Sequence, residues 1–146
     1  MIVVGTDQRN RHLRFMLSAR DVAVRSLVKR SFVLGAVLVK GNRIISEGIN
    51  NPNKTHPISV HTRSGAIHAE MDTIIGVDSR HVQGSDVYVY RHLKGTWEQP
   101  EGFAAISMPC PHCQLALFRA GIRRVFYINR EGNIDFLRPR EYTCVS

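Results

Sequence analysis

Apolar and polar residues alternate along this chain in short blocks that predict helices and strands following one another closely. Between residues 11 and 30 the apolar side chains recur with a helical period, and charged or hydroxyl side chains occupy a narrow stripe between them. Such a broad apolar face predicts a helix packed on a sheet. Its members are Leu13, Met16, Leu17, Ala19, Ala23, Val24, Leu27 and Val28.

The next segment has the composition of a β-hairpin. Residues 31–40 are almost continuously apolar, which predicts a strand covered on both faces. Lys-Gly-Asn at residues 40–42 is typical of a tight turn, so residues 43–48 are expected to return as the second strand. Residues 49–66 are rich in Asn, Pro, His, Ser and Thr, and we expect a long loop there.

Two further helices are predicted in the second half of the chain. One is expected to begin at His68 and run to Gly76, and a strand over residues 86–90 follows it. Residues 92–108 are then expected to form a second long loop. The other helix is predicted from residue 111 to residue 120, with Gly121 as its C-cap and one apolar side made of Leu115, Phe118 and Ile122.

The last two apolar runs, residues 123–129 and 134–137, are separated only by residues 130–133. A parallel pair of strands needs a crossover of about a dozen residues, so this spacing predicts an antiparallel hairpin. The whole order, α-β-β-α-β-α-β-β, predicts an α/β fold. We expect a three-layer α/β/α sandwich with a five-stranded mixed sheet, as one domain over residues 1–146.

Composition and charge narrow the class of protein. No run approaches the ~20 apolar residues of a membrane span, so we expect no membrane association. The three cysteines are odd in number, which favours a reducing, cytoplasmic compartment. The formal net charge is +8, with the excess in residues 1–51 and 106–146. A basic protein attracts phosphates of nucleotides or nucleic acids, although a solvated basic surface explains the same composition.

Two short motifs carry the candidate chemistry, namely His-Ala-Glu at residues 68–70 and Pro-Cys-Pro-His-Cys at residues 109–113. This combination is the signature of zinc-dependent base deaminases. His68, Cys110 and Cys113 offer one imidazole and two thiolates, which suits a catalytic zinc site whose fourth position is kept for water.

Glu70 lies two residues after His68, so it can stand beside such a metal without binding it and move protons during catalysis. Alternative interpretations of the Cys-x-x-Cys pair are a redox pair or half of a structural zinc site. A structural site would need a fourth ligand, for which Cys144 and His112 are the spare candidates.

With these motifs in this order, residues 12 to 140 resemble the cytidine deaminase superfamily. The resemblance implies a cytidine-deaminase-like fold with Zn²⁺ bound by His68, Cys110 and Cys113. It also implies that Glu70 shuttles protons to and from a zinc-bound hydroxide. Members are often dimers or tetramers, so a homo-oligomer is an implied partner.

The resemblance also implies three substrate contacts. The backbone N–H of Ala69 would contact the pyrimidine carbonyl, and the backbone C=O of Met108 would accept from the exocyclic amine. Gly48-Ile49-Asn50 resembles a Gly-x-Asn segment whose asparagine contacts the sugar. Alternatively Asn50 is a turn residue, or the segment aligns one residue later, so that Asn51 takes the place of Asn50.

Antiparallel last strands are typical of the branch that contains free cytidine deaminases and some bacterial deaminase toxins. The expected function is therefore hydrolytic deamination of cytosine to uracil in a small nucleoside or nucleotide. Lys54, His56 or Arg63 would then be candidates for holding a phosphate. The loop over residues 92–108 is longer than usual for free cytidine deaminases, which leaves the substrate open.

Three other functions stay open on the sequence. The first is deamination of cytosine or adenosine in single-stranded nucleic acid, with Tyr90, Trp97 or Phe103 stacking on a flipped base. The second is deamination of a purine base, which would use the same zinc chemistry. The third is a zinc-stabilised binding module without catalysis, which the intact Glu70 disfavours.

Overall fold

Short helices and strands alternate in the computed structural model of this protein, which describes residues 6–25, 32–55, 66–93, 103–105, 107–109 and 111–140. The helices are α1 (Thr6–Arg25), α2 (Ala69–Asp72), α3 (Ser79–Val82) and α4 (Pro111–Ala120). The strands are β1 (Phe32–Lys40), β2 (Arg43–Ile49), β3 (Asn51–Thr55), β4 (Ala66–Ile67), β5 (Asp86–Leu93), β6 (Phe103–Ala105), β7 (Arg124–Ile128) and β8 (Ile134–Leu137).

The main sheet has the strand order β2-β1-β5-β7-β8, and β6 pairs with the end of β5. Among the described strands β5 and β7 pair in parallel, and the other neighbouring pairs of this sheet are antiparallel. In the last pair Val125 lies opposite Leu137, and Ile128 lies opposite Ile134. The predicted mixed sheet with an antiparallel last pair is therefore confirmed.

Helices cover both faces of this sheet, as the predicted three-layer sandwich requires. On one face α1 packs on alternate residues of β1, β5 and β7, including Val37, Tyr88 and Phe126. On the other face α2 and α4 pack on the intervening residues, including Leu38 and Val89. Period-two alternation thus divides every central strand between two apolar cores.

Two glycines let the helices approach the sheet closely. A Cβ on Gly35 would meet the backbone of α1, including the Ala23 Cα at 2.9 Å. A Cβ on Gly48 would meet the Ala69 carbonyl and the backbone nitrogen of Thr73, the latter at 2.8 Å. Because Gly48 has no side chain, α2 can lie closer to the sheet than any other residue at this position would allow.

Helix α1 begins earlier than predicted, at Thr6, and its buried face is rotated from the expected one. Leu13, Leu17 and Val24, which we expected in the core, are 47%, 44% and 43% exposed. The residues buried in their place include Phe15 and Val22, and the whole buried set is His12, Phe15, Met16, Ala19, Val22 and Ala23.

The longest described helix, α1, contains five arginines in its 20 residues. Within the described ranges no helix combines the length and the apolar character that crossing a membrane would require.

Both predicted long loops contain strands. Residues 51–55 and 66–67 form the small antiparallel sheet of β3 and β4, although residues 49–66 were predicted to be a loop. In the second loop, β5 continues to Leu93 and β6 pairs with it, so that Leu93 lies opposite Phe103. Neither β3 nor β6 has apolar alternation long enough to predict a strand, because pairing with a neighbour stabilises them instead.

The helix boundaries in the second half of the chain are partly as predicted. Helix α4 spans the predicted residues and ends at Gly121, whose φ of +88° suits the C-cap. Of the residues on the predicted apolar side, Ile122 is buried but Phe118 is 40% exposed, and Leu117 is buried as well. The helix after His68 is only four residues long, and α3, which the sequence analysis did not predict, follows it.

Candidate metal centre

His68 occupies the N-cap position of α2, between the short strand β4 and the helix. Its backbone is extended, with φ of −84° and ψ of 158°, and its carbonyl accepts the Asp72 N–H at 2.9 Å. The helix then buries Ala69, Glu70 and Met71 against the sheet. The sequence His-Ala-Glu therefore places an imidazole at the helix start and a carboxylate inside the molecule.

Polar contacts to β2 fix α2 in this position. The Ile49 N–H donates to the Asp72 carboxylate at 3.1 Å, and the Ser46 hydroxyl donates to the Thr73 carbonyl. The Thr73 hydroxyl donates to the Glu70 carbonyl at 2.6 Å. Together with the close approach at Gly48, these bonds hold the backbone that carries Glu70 against the sheet.

The second motif enters the site on α4. Pro111 begins this helix, and Cys113 is completely buried, where it packs with Met71 and Ala116. The Gln114 side-chain amide donates to the Pro109 carbonyl at 3.1 Å and so closes the turn that precedes the helix. Cys110 and Cys144 lie outside the described residues, as does the side chain of His112.

Three of the predicted site residues converge at the helix starts. His68 Nδ1 lies 3.0 Å from Cys113 Sγ and 3.8 Å from the nearer carboxylate oxygen of Glu70. The ligand atoms of all three residues lie within 4.8 Å of one another. Cys113 and Glu70 are buried, whereas the His68 side chain is 35% exposed and opens the group to solvent.

The donor set and its spacing fit zinc. His68 Nδ1 and Cys113 Sγ lie 3.0 Å apart, a separation that zinc bonds of about 2.1 Å to nitrogen and about 2.3 Å to sulfur can span from one ion. Imidazole with thiolate is a ligand combination that zinc favours.

Ser107 connects the segment before Cys110 to the sheet, a role that no pattern in the sequence predicted. The Ser107 hydroxyl donates to the Val89 carbonyl and accepts the Ile128 N–H, both at 2.8 Å, and the Ser107 N–H donates to the Ile128 carbonyl at 3.1 Å. It therefore bridges β5 and β7 three residues before Cys110. Its one sequence signal is a hydroxyl side chain just ahead of the Pro-Cys.

The predicted substrate contacts lie around this group, and their roles stay predictions. Ala69 is buried as the first residue of α2, while Met108 is 53% exposed. The side-chain oxygen of Asn50 accepts the Leu34 N–H at 2.8 Å, so β1 fixes the orientation of this carboxamide. For Asn51 the structure describes only the backbone, in β3.

Beside Met108, the β7–β8 hairpin borders an open cleft of about 560 Å³. Tyr127 and Asp135 lie opposite each other on its wall. Burial raises the pKa of Tyr127, and the nearby Asp135 carboxylate raises it further. This cleft gives the exposed side of Met108 space for a bound molecule.

A second buried polar cluster lies where β5 and β7 begin. Arg123 and Arg124 donate to Asp86 at 2.9 and 2.8 Å, and Asp86 is 2% exposed. Burial alone would raise the pKa of Asp86, but the hydrogen bonds from Arg124 and Arg123 lower it below the usual range. This cluster ties the two parallel strands together.

His12 lies close to this cluster on the α1 face of the sheet. His12 Nδ1 is 2.6 Å from the Tyr88 hydroxyl, and its ring stacks on Phe126 at 4.4 Å between centroids. Burial lowers the pKa of His12, and the charges of Arg124 and Arg11 lower it further. Its place among aromatic rings makes His12 a core residue.

The structure changes one part of the nucleic-acid interpretation. Tyr90, a predicted base-stacking residue, is 8% exposed and belongs to the core beneath α1, so it is not available to stack on a base. The side chains of the remaining stacking and phosphate candidates lie outside the described part of the chain; these are Lys54, His56, Arg63, Trp97 and Phe103.

Comparison with protein families gives one match that covers most of the chain. A family model described as "Cytidine and deoxycytidylate deaminase zinc-binding region" matches residues 9–129. No curated protein matches this sequence significantly.

The solved structures that resemble the chain include the following three. The structure of Acinetobacter baumannii RibD, form 1, has 24% identity and a TM-score of 0.48, and the match covers 80% of this chain but only 27% of RibD. The dCMP deaminase of cyanophage S-TIM5 in complex with dCMP and dUMP has 22% identity and a TM-score of 0.50, with 84% and 82% of the two chains covered. Its apo form has 19% identity, a TM-score of 0.48 and the same coverage.

Proposed function

Because the chain belongs to the zinc-dependent cytidine and deoxycytidylate deaminase family, we propose that it hydrolyses the amino group of cytosine in a small nucleoside or nucleotide. The products are the uracil compound and ammonia. The observation that carries this proposal is the buried carboxylate of Glu70, 3.8 Å from the imidazole of His68, which in turn lies 3.0 Å from the Cys113 sulfur.

Within this proposal His68 and Cys113, together with Cys110, hold the zinc ion. Bound zinc supplies the Lewis acidity that makes water a nucleophile at neutral pH. Cys113 has no exposed surface, so the protein matrix shields its sulfur from solvent. The His68 side chain is partly exposed, so the group opens to solvent on its side.

Glu70 moves the protons. Its carboxylate takes a proton from the attacking water and gives it to the ring nitrogen next to C4 as the new C–O bond forms. It then passes the second proton to the amino group, which leaves as ammonia when the C4–N bond breaks. Protons, oxygen and nitrogen balance, because one water is consumed and one ammonia is released.

Backbone groups orient the base. The Ala69 N–H donates to the pyrimidine carbonyl oxygen, and the Met108 carbonyl accepts from the exocyclic amine before it leaves. Asn50 contacts the sugar through a carboxamide that Leu34 already orients. Prepositioned groups of this kind favour the reaction because no reorganisation is needed when the substrate binds.

The test is ammonia release from cytidine, deoxycytidine and their two monophosphates by zinc-loaded protein. We expect turnover of at least one of them, with formation of the matching uracil compound. Removal of zinc by a chelator should abolish turnover, and added zinc should restore it. Failure of all four compounds would overturn the proposal.

A parallel assay with single-stranded DNA and RNA tests the alternative substrate class. Deamination there, without turnover of the free compounds, would assign the chain to nucleic acid. A homo-oligomer, which the family resemblance implies, stays a prediction, and sedimentation of the zinc-loaded protein would measure it.

A further inference from the structure

Ser107 lies at the point where β5 and β7 separate. The parallel pairing of these two strands ends at Tyr88 opposite Phe126. Beyond that point β6 takes the place of β7 beside β5, because β1 occupies the other side of β5 along its whole length. The chain that follows β6 therefore runs into the fork between β5 and β7, and Ser107 closes this fork.

Three hydrogen bonds fix Ser107 to both strands. Its hydroxyl donates to the Val89 carbonyl of β5 and accepts the Ile128 N–H of β7, and its own N–H donates to the Ile128 carbonyl. All three residues are buried, so water does not compete for these groups. A buried hydroxyl that satisfies a carbonyl and an N–H at once is costly to remove, and it leaves the backbone little freedom to shift.

Met108, the next residue, is held from both sides. Ser107 fixes the chain before it to the sheet, and the Gln114 side chain of α4 donates to the Pro109 carbonyl after it at 3.1 Å. Ser107 and Pro109 are buried, whereas Met108 itself is exposed beside the cleft of about 560 Å³. The backbone of Met108 is therefore fixed to the sheet and to α4, while its surface stays open to a bound molecule.

The strand that anchors Ser107 also supports the metal centre. Val89 packs in one cluster with Ala69 of α2 and Leu117 of α4. These two helices carry the two metal-binding motifs. Ser107 therefore fixes its segment to the same point of β5 on which both helices rest, and this shared support sets the position of the segment relative to the metal centre.

We propose that Ser107 is a positioning residue for the deamination, and that it holds the Met108 carbonyl where this carbonyl accepts a hydrogen bond from the exocyclic amine. This inference rests on the proposed function and deepens it. Ser107 acts through Met108 and not by contact with the substrate. A fixed carbonyl favours the amino group of cytosine, which donates, over the oxygen of uracil, which can only accept. Loss of the Ser107 hydroxyl should therefore weaken recognition of cytosine and spare that of uracil.

The experiment measures this preference without turnover. Zinc-loaded Glu70→Gln protein cannot move protons, so a cytosine compound stays intact while calorimetry measures its binding. The ligands are the cytosine compound that the wild type turns over fastest and the matching uracil compound. We expect Ser107→Ala, added to Glu70→Gln, to weaken binding of the cytosine compound by about 3- to 10-fold, because one neutral hydrogen bond is lost. Binding of the uracil compound should change by less than about twofold.

Kinetics in the protein with intact Glu70 give a second readout. Ser107→Ala should lower kcat/KM for the cytosine compound by about 10- to 100-fold, since a small displacement of an orienting group is costly in the transition state. Ser107→Thr keeps the hydroxyl and should retain most of the activity and most of the preference for cytosine.

Ser85→Ala is the matched control. Ser85 is also buried, and its hydroxyl also donates to a backbone carbonyl, that of Val82, but it lies directly before β5, at the opposite end of that strand from Leu93. This variant should lower the melting temperature without changing kcat/KM or the ratio of the two binding constants. Zinc content and melting temperature of every variant report on folding.

Equal weakening of the two ligands by Ser107→Ala would make Ser107 a structural residue and overturn the inference, as would a change in their ratio no larger than that in Ser85→Ala. Should Ser107→Ala fail to fold, Ser107→Cys takes its place, because its sulfur fills the site with weaker hydrogen bonds. If the wild type turns over none of the cytosine compounds, the proposed function fails, and binding of cytidine and uridine decides the inference. Absence of cytidine binding would then overturn it as well.

Discussion

Asp86 and Glu70 are carboxylates that the fold buries to the same extent, each with 2% of its surface exposed, at two different places in the molecule. Asp86 binds the guanidinium groups of Arg123 and Arg124, which stay charged at every accessible pH. Glu70 lies beside His68 and Cys113, whose imidazole and sulfur belong with it to a group that could hold a metal ion.

This difference teaches that burial alone does not mark a catalytic carboxylate. Two permanent cations hold Asp86 in its ionised form and tie β5 to β7, so its role is structural. A carboxylate placed next to metal ligands and close to solvent can exchange protons with a bound substrate. The partners of a buried acid, rather than its depth, separate the two roles.

The largest expected effect comes from Glu70→Gln. The amide keeps the shape of the side chain but cannot carry protons, so kcat should fall by about 10²- to 10⁴-fold. Zinc content and melting temperature should stay close to those of the wild type, because no ligand is removed. Ammonia release and metal analysis of the same sample measure both quantities. Wild-type turnover in this variant would remove Glu70 from the mechanism.

Asp86→Asn should have the opposite effect, namely a loss of stability with unchanged zinc content and kcat. Loss of the charge leaves Arg124, and to a smaller extent the half-exposed Arg123, without their counter-ion, and the free energy of unfolding should fall by about 2–3 kcal/mol. The folded fraction should keep its zinc and its kcat. Urea unfolding and activity at low temperature measure the two quantities, and a stable variant with low kcat would contradict the assignment.

Gly48→Ala and Gly35→Ala compare the two faces of the sheet, since Gly48 contacts α2 and Gly35 contacts α1. Both add a methyl group where a helix approaches the strand, so both should cost about 1–3 kcal/mol of stability. Only Gly48→Ala should also lower zinc affinity and kcat, because it displaces the helix that carries Glu70. Zinc competition titrations on both variants test this, and equal zinc affinities would show that α2 tolerates the shift.

The smallest effect is a pH dependence of stability that arises from His12. The folded state lowers the pKa of His12, so below the unfolded value, about 6.5, the unfolded chain binds a proton that the folded chain does not. The contribution of His12 to the free energy of unfolding is therefore fully present above the unfolded pKa. It decreases as the pH falls from the unfolded pKa to the lower folded pKa. The difference between the melting temperatures of wild type and His12→Gln, measured from pH 8 down to pH 5, should become smaller as the pH falls. A difference that stays constant with pH would contradict this.

Short sequence motifs predicted the β1–β2 and β7–β8 hairpins, because the structure of a tight turn depends mainly on the residues within it. The Gly41-Asn42 turn has φ of 58° and 64°, values that this residue pair adopts readily, and the hairpin forms where the sequence placed it. The spacing of four residues, 130–133, between the last two predicted apolar runs excluded a parallel crossover, and five residues separate β7 from β8 in the structure. The assignment of the whole chain to one domain stays a prediction.

Periodicity could not orient α1, because its apolar residues cover more than half of the helix circumference. Leu17 and Phe15 then fit a buried position equally well by pattern, and only the surface of β1, β5 and β7 selects Phe15. Ser107 was not predicted for a related reason. Its three hydrogen bonds to Val89 and Ile128 exist only where β5 and β7 separate.

The sequence by itself determined the kind of chemistry, because the types and spacing of His68, Glu70 and Cys113 are fixed by covalent order, and metal preference follows from donor type. Tertiary structure decided which buried acid has Arg partners and which lies beside His68 and Cys113. It also placed Ser107 between Val89 and Ile128. Strand register makes such decisions, since it brings together residues that are far apart in the chain, and no local pattern encodes it.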